Sequence, residues 1–303
     1  MGPALCLLSA ACFGAMAIFG KLAYAAGVEP SALLLLRFGI AAVVLGLVLL
    51  LRPGLRARPS RRGVLTALGL GAVGYATQAS LYFSALERVD ASLVALVLYT
   101  YPALVTVAAA VLGRERLTPA RSAAVVVAFC GTLLVLLGAG GARFDSIGVA
   151  IAFGAAVTYT AYILVADTVV HRLPPVVLSA LVMTGAALTL SVRSLGSGGV
   201  DLGFGPAGWF WVGCIAVVST VVAMLAFFAG LRRIGPSAAA LLSTSEPVVT
   251  TALAAVTLGE FLGPVQLLGA ALVLASVAVV QLRPRRRSSA SPAPADSEPV
   301  GTG

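Results

Sequence analysis

Apolar residues fill this chain in stretches of about 20 residues separated by short polar turns, the length that crosses a hydrocarbon core of roughly 30 Å at the helical rise. The pattern predicts ten membrane-spanning helices over residues 3–26, 30–51, 63–85, 91–112, 118–138, 147–167, 174–195, 207–230, 236–257 and 264–283. The polar punctuation repeats at an offset of about 145 residues. Leu86-Glu-Arg-Val-Asp-Ala-Ser falls on Leu231-Arg-Arg-Ile-Gly-Pro-Ser, and without a gap Pro102 falls on Pro247, Thr106 on Thr251, Glu115 on Glu260 and Pro119 on Pro264. The same register carries Pro30 onto Pro175 and Leu33 onto Leu178. Each copy holds an odd number of spans, so the second must lie upside down relative to the first. Inverted repeats of this kind build alternating-access carriers with a site near the midplane, where the copies meet.

Composition fixes the class. The chain is 60% hydrophobic and only 10% charged, against roughly 25% charged residues in soluble domains. The expected fold is therefore all-α and integral to the membrane, ten helices in two inverted five-helix repeats. The expected division is a first repeat over 1–142, a second over 146–284, and a tail over 285–303 too polar and proline-rich to order itself. The first span starts almost at Met1, has no basic leader region and is too long for a signal-peptide core, so it reads as a span that is retained.

A net charge of +9 suggests a nucleic-acid partner only until the cations are placed along the topology. With the N-terminus inside, Arg52, Arg56, Arg58, Arg61, Arg62, Arg114, Arg116, Arg121, Arg172, Arg232, Arg233, Arg283, Arg285, Arg286 and Arg287 are all cytoplasmic, and only Arg88, Arg143 and Arg193 fall outside. Short loops obey the positive-inside rule, which assigns both termini to the cytoplasm of a multi-pass protein of the cell (inner) membrane. No nucleic acid, cofactor or metal is expected. Cys6, Cys12, Cys130 and Cys214 lie in spans without ligand spacing and read as thiols packed among helices. His171 stands in an inner loop. A monomer or homodimer is expected.

Glu246 lies midway along the ninth span, in Ser243-Thr-Ser-Glu-Pro. A charged group at that depth costs about 2.5–3.5 kcal/mol or more, and a glutamate cannot reach water from there. Such a carboxyl is suited to exchanging a proton or holding a cationic group; the alternative is a permanently protonated acid bonded to a neighbouring helix. Pro247 cannot donate to the carbonyl of Ser243, nor Pro102 to that of Leu98, so both copies carry an interrupted helix at matching depth. Tyr99, Thr100 and Tyr101 crowd one break and Ser243, Thr244 and Ser245 the other. In the third and eighth spans, Tyr75, Gln78, Ser80 and Tyr82 stand against Ser219 and Thr220; Gln78 and Tyr82 share a helix face. The expected substrate-facing set is Glu246, Tyr99, Tyr101, Gln78, Tyr82, Ser243, Thr244, Ser219 and Thr220, with Pro102 and Pro247 as kinks. Polar pairs also hold transmembrane helices together without touching a ligand. Lys21 and Arg37 fall within a turn or two of the outer interface, where long side chains reach water. They read as gating or structural charges, with Glu29 or Glu87 as partners for Arg37.

The turn Leu86-Glu-Arg-Val-Asp-Ala-Ser, the proline of Tyr99-Thr-Tyr-Pro, Leu112-Gly-Arg-Glu-Arg-Leu-Thr, their partners Thr244-Ser-Glu-Pro and Leu258-Gly-Glu-Phe-Leu, and Arg37 together resemble the drug/metabolite transporter superfamily, specifically its EamA-type ten-helix carriers. The resemblance covers residues 1 to 283. It implies a carrier of small metabolites, commonly an exporter, and names no substrate. The sequence has no G-x-x-x-x-G-K-[ST] loop, so ATP is not the expected driver. The expected protein is thus no enzyme but a secondary transporter of a small organic molecule, an exporter working by alternating access and proton-coupled through Glu246. A gradient-independent facilitator or exchanger, and a non-transporting sensor with the same fold, stay open. Its central cavity is expected between spans three, four, eight and nine.

Overall fold

All regular structure among the described residues is helical. The computed structural model describes residues 1–282 except 53, 55–59, 114–118, 139–144, 171–172, 235–241 and 244. The expectations for the tail, His171 and Thr244 therefore lie outside the described residues.

Seven helical stretches are long and apolar enough to cross a membrane: Gly2–Ala25, Pro30–Leu51, Arg61–Leu86, Ala91–Val111, Ser146–Ala166, Pro175–Gly196 and Pro206–Phe227. Three shorter apolar helices, Ser122–Gly138, Glu246–Leu258 and Pro264–Ser276, fall on the fifth, ninth and tenth predicted spans. Large apolar side chains such as Leu51, Val111 and Val256 stand exposed on the outside of the bundle. A face of this kind is stable only against lipid tails. The chain is an all-helical membrane protein.

In chain order the helices are α1 (Gly2–Ala25), α2 (Pro30–Leu51), α3 (Arg61–Gly69), α4 (Ala76–Leu86), α5 (Ala91–Leu98), α6 (Tyr101–Val111), α7 (Pro119–Gly138), α8 (Ser146–Val170), α9 (Pro175–Gly196), α10 (Pro206–Ala216), α11 (Ala223–Ile234), α12 (Glu246–Leu258) and α13 (Pro264–Leu282). Proline opens α2, α9 and α10 in the first turn, where its missing N–H would have had no intrahelical partner anyway. Gly113 and Gly259, both at φ 68°, follow α6 and α12, so corresponding spans stop at a left-handed glycine.

The contacts between helices come in related pairs. Helix α1 packs on α11 as α8 packs on α4, and α1 packs on α12 as α8 packs on α5 and α6; α2 pairs with α9 and α7 with α13. The pairing follows the sequence offset. The α7–α13 seam depends on absent side chains: a Cβ on Gly131 would lie 2.7 Å from the Gly269 carbonyl oxygen. Because that obstacle is backbone, it cannot swing away. We expect Gly131→Val to cost about 1–3 kcal/mol by overpacking and to lower the Tm of the purified protein; an unchanged Tm would show that the seam is loose. Cys130, next to that glycine, is exposed on the bundle's outer face, unlike the packed thiol the sequence suggests.

Two features have no counterpart in the predicted spans. The third and eighth spans, expected as continuous α-helices, each contain a wider π-helical turn, at Leu70–Tyr75 and Val217–Val222. They lie at nearly equivalent positions of the two copies. A π-turn rotates the side chains that follow it relative to those before, and such turns cluster at functional sites.

Candidate functional site

The two interrupted spans meet. Helix α5 ends at Leu98, with Tyr99 as its C-cap, and α6 resumes at Tyr101 with Pro102 in its first turn. Helix α12 begins at Glu246, and Pro247 follows in its first turn. The Tyr99 hydroxyl donates to the Ser243 carbonyl at 2.9 Å, the acceptor that Pro247 cannot serve, and lies 2.9 Å from Oε2 of Glu246. One phenol from the first copy therefore binds both the freed backbone and the central carboxyl of the second. Helix α1 holds the same turn from behind: the Thr250 hydroxyl donates to the Gly14 carbonyl at 2.9 Å and lies 3.1 Å from the Glu246 carbonyl.

Arg37 turns into the bundle and not toward the end of α2. It is 2% exposed, and its Nε donates to Oγ1 of Thr220 at 2.9 Å while Nη2 lies 3.4 Å from the Tyr75 hydroxyl. Neither Glu29 nor Glu87 forms an ion pair with it among the described residues. The sequence expectation fails because a side chain this long can turn either way, and the inward acceptors lie on distant spans. Tyr75 closes the first π-turn and Thr220 lies within the second, at the repeat offset from Tyr75. Thr220 in turn donates to the Ile215 carbonyl five residues back, at 2.9 Å, a bond that the wider turn allows. The guanidinium also sits 4.9 Å from the Phe38 ring centroid and 5.5 Å from that of Phe83, within cation–π range.

Between these two groups lies a cavity of about 320 Å³, at the lower end of the roughly 300–1,000 Å³ typical of small-molecule sites. Gln78, Tyr82, Tyr99, Tyr101, Ser243 and Glu246 of the expected set line it, and Glu246 keeps part of its surface open toward it. Thr220 supports Arg37 instead of lining the space. Ser219 is fully buried, and its hydroxyl has no hydrogen-bond partner among the described residues. The lining is wider than spans three, four, eight and nine. Span one contributes Phe13 and Met16, span two Arg37, span six Tyr159 and Tyr162, and span seven Met183.

Tyr159 and Tyr162 are the residues that sequence reasoning missed, although their i, i+3 spacing puts both on one face of α8. With them the tyrosines form a row. Tyr75 and Tyr162 lie 5.5 Å apart between ring centroids, Tyr162 and Tyr159 5.8 Å, Tyr159 and Tyr101 4.8 Å, and Tyr101 and Tyr99 5.6 Å. Arg37 contacts the first ring and Glu246 the last. Such contacts fix ring orientation and favour a preformed wall.

A second inter-copy tie lies at the bundle end that holds Lys21. Asp90 stands at the N-cap of α5 but makes no side-chain cap bond. Glu260, beyond α12, supplies it: its Oε2 accepts from the Ser92 N–H at 3.3 Å and lies 3.5 Å from the Ser92 hydroxyl. The other oxygen is 3.9 Å from Lys21 Nζ. Burial pushes the Glu260 carboxyl above the usual carboxylate range, against the downward pull of the Ala91 and Ser92 amides and of Lys21. The sign follows: this end of the bundle is favoured below the ordinary carboxylate range and loses that increment as pH rises through the raised value. We expect Glu260→Ala to remove a helix cap of about 1 kcal/mol, a roughly five-fold shift toward opening at this end. Alkylation of a single cysteine placed beside Ser92 reads that shift; an unchanged rate would exclude a latch.

Residues 1–137 and again 146–282 match the EamA-like transporter family. The chain belongs to that family. This EamA-like transporter is 29% identical over 276 residues to a Bacillus subtilis (strain 168) protein named Uncharacterized transporter YcbK, covering 88% of each chain. It is 26% identical over 255 residues to Uncharacterized transporter YyaM of the same organism, covering 82% of this chain and 83% of the relative. Uncharacterized transporter YwfM, also from B. subtilis, is 30% identical over 170 residues, or 56% of this chain and 57% of its own. A crystal structure with 23% identity superimposes with a TM-score of 0.65, over 93% of this EamA-like transporter and 96% of that chain. The fold is shared with it. The protein is a multi-pass membrane transporter.

Proposed function

We propose that this transporter is a secondary carrier that exports a small organic metabolite by alternating access, exchanging it for protons at Glu246. Its two five-helix copies, 1–142 and 146–284, lie inverted in the cytoplasmic membrane with both termini inside. The observation that carries the reading is the position of Glu246: an acid at the restart of a broken helix, facing a half-open cavity and bonded to Tyr99 from the other broken helix. A group that must bind a proton or a cationic ligand, one at a time, couples the two fluxes by competition. Tyr99 has a single hydroxyl proton for two acceptors, so a change of charge on Glu246 is felt at Ser243 and hence by the broken backbone.

The Lys21–Glu260–Ser92 tie joins the copies on the extracellular side of this topology, and rocking between states must break it. Prolines at both breaks let the two half-helices move while their freed carbonyls find partners within the protein. The test begins with the metabolite that a thermal-shift screen selects. In proteoliposomes an imposed pH gradient should drive its accumulation, and counterflow should persist at zero gradient. Counterflow with no response to the gradient would establish a facilitator, and binding with neither flux a sensor.

A further inference from the structure

We infer that the cavity takes an elongated zwitterion, a molecule whose cationic and anionic groups are held apart by a flat or apolar body. The inference deepens the proposed carrier function and rests on it. It starts from two ionisable groups of opposite sign that line one half-open cavity and do not pair with each other. Arg37 and Glu246 both line the cavity, and no ion pair within 4.0 Å joins them among the described residues. Among the described residues each is held by neutral groups: Arg37 by Thr220, Tyr75 and the Phe38 and Phe83 rings, Glu246 by Tyr99.

A guanidinium has five N–H donors in a planar fork, the geometry that a carboxylate or phosphate matches with two bonds. Here its described acceptors are two hydroxyls, one of them at the long distance of 3.4 Å. Desolvating a cation with so little compensation is costly unless an anion completes the site. Glu246 poses the same demand with the opposite sign. A simple organic cation would satisfy Glu246 but meet the field of Arg37; a simple anion would meet that of Glu246. A ligand with one charge of each sign satisfies both.

The wall between the charges sets the ligand's shape. Arg37 contacts Tyr75 at one end of the tyrosine row, and Glu246 contacts Tyr99 at the other, with Tyr162, Tyr159 and Tyr101 between. A body with a π-face or a short apolar chain can lie along these rings. Gln78 lines the same space with no hydrogen bond from its amide among the described residues, which suits a polar substituent on the body. Charges on a single carbon span less of this row than charges at opposite ends of a ring.

Four probes test this in purified protein in lipid nanodiscs, at fixed pH and ionic strength, by ligand-induced shift of thermal unfolding. 4-(Aminomethyl)benzoate carries both charges apart, phenylalanine carries both on one carbon, and benzylamine and benzoate carry one each. We expect the first to bind at least about ten-fold more tightly than any other, a lower bound on what leaving one buried charge uncompensated costs. Arg37→Gln should erase its advantage over benzylamine, and Arg37→Lys, which keeps the charge without the fork, should keep part of it. Benzylamine or benzoate binding as well as the zwitterion would overturn the inference. So would tighter binding of phenylalanine, or no binding of any probe at millimolar concentration. The wild-type comparison needs no variant to fold. The readout is binding, so a carrier of plain amines passes the proton-coupling test and fails this one, while a zwitterion-binding facilitator does the reverse.

Discussion

Replacing Glu246 with glutamine should abolish accumulation driven by a pH gradient, to the level of empty liposomes, while counterflow of saturating substrate at zero gradient persists at a reduced rate. Glutamine keeps the size of the side chain and an oxygen for the Tyr99 hydroxyl, so the junction of the two broken helices stays assembled. It cannot take up or release a proton. The expected split between the two assays is what distinguishes a carrier of protons from a polar packing residue: removing a merely structural hydrogen bond, worth about 0.5–1.5 kcal/mol, would lower both rates together. Full gradient-driven accumulation by the Glu246→Gln protein would exclude Glu246 as the coupling group. Glu260, the other carboxyl tying the two copies, is the control. It lies beyond α12, paired with Lys21, and Glu260→Gln should alter the rate of transport without abolishing the response to the gradient.

Much of this architecture is legible in the sequence because the bilayer permits few alternatives. A backbone in hydrocarbon must satisfy its own hydrogen bonds, so apolar length alone marks the spans. Pro102 and Pro247 declare their breaks because proline's defect is chemical and independent of surroundings. Glu246 declares itself by cost. What the sequence hides is direction. Arg37 has seven residues of α2 between it and the helix N-terminus, and nothing in its neighbours says that it points inward, since Thr220 lies 183 residues away. Tyr159 and Tyr162 sit in a span with no proline or charge at their depth, and a membrane tyrosine faces lipid or cavity according to a helix rotation that hydropathy barely constrains. The two π-turns leave no compositional trace. Val217–Val222 is a largely β-branched run that could be read as plain helix, and the two wider turns, one packed on α9 and the other on α1 and α2, deliver Tyr75 and Thr220 to one guanidinium. Even the expected pair Ser219 and Thr220 divides, one buried within the helix packing and the other holding Arg37.

Tyr99→Phe should slow gradient-driven transport roughly ten-fold, the loss expected when a buried acceptor gives up its donor at a cost of about 1–3 kcal/mol. The substitution keeps the ring and its contact with Tyr101, so the wall of the cavity is preserved and only the shared proton is lost. The link to Glu246 is tested by a cycle of four proteins: wild type, Tyr99→Phe, Glu246→Gln and the double variant, compared by thermal unfolding without substrate. If the phenol acts through the carboxyl, the effect of Tyr99→Phe must change when Glu246 is already glutamine, with a coupling of about 0.5–3 kcal/mol. Additive shifts would mean that Tyr99 serves only the Ser243 carbonyl, and that the two broken helices are joined mechanically but not through the titrating group. The carboxyl alone would then carry the exchange, and the contact that brings Tyr99 to the second break would supply the hinge without the coupling.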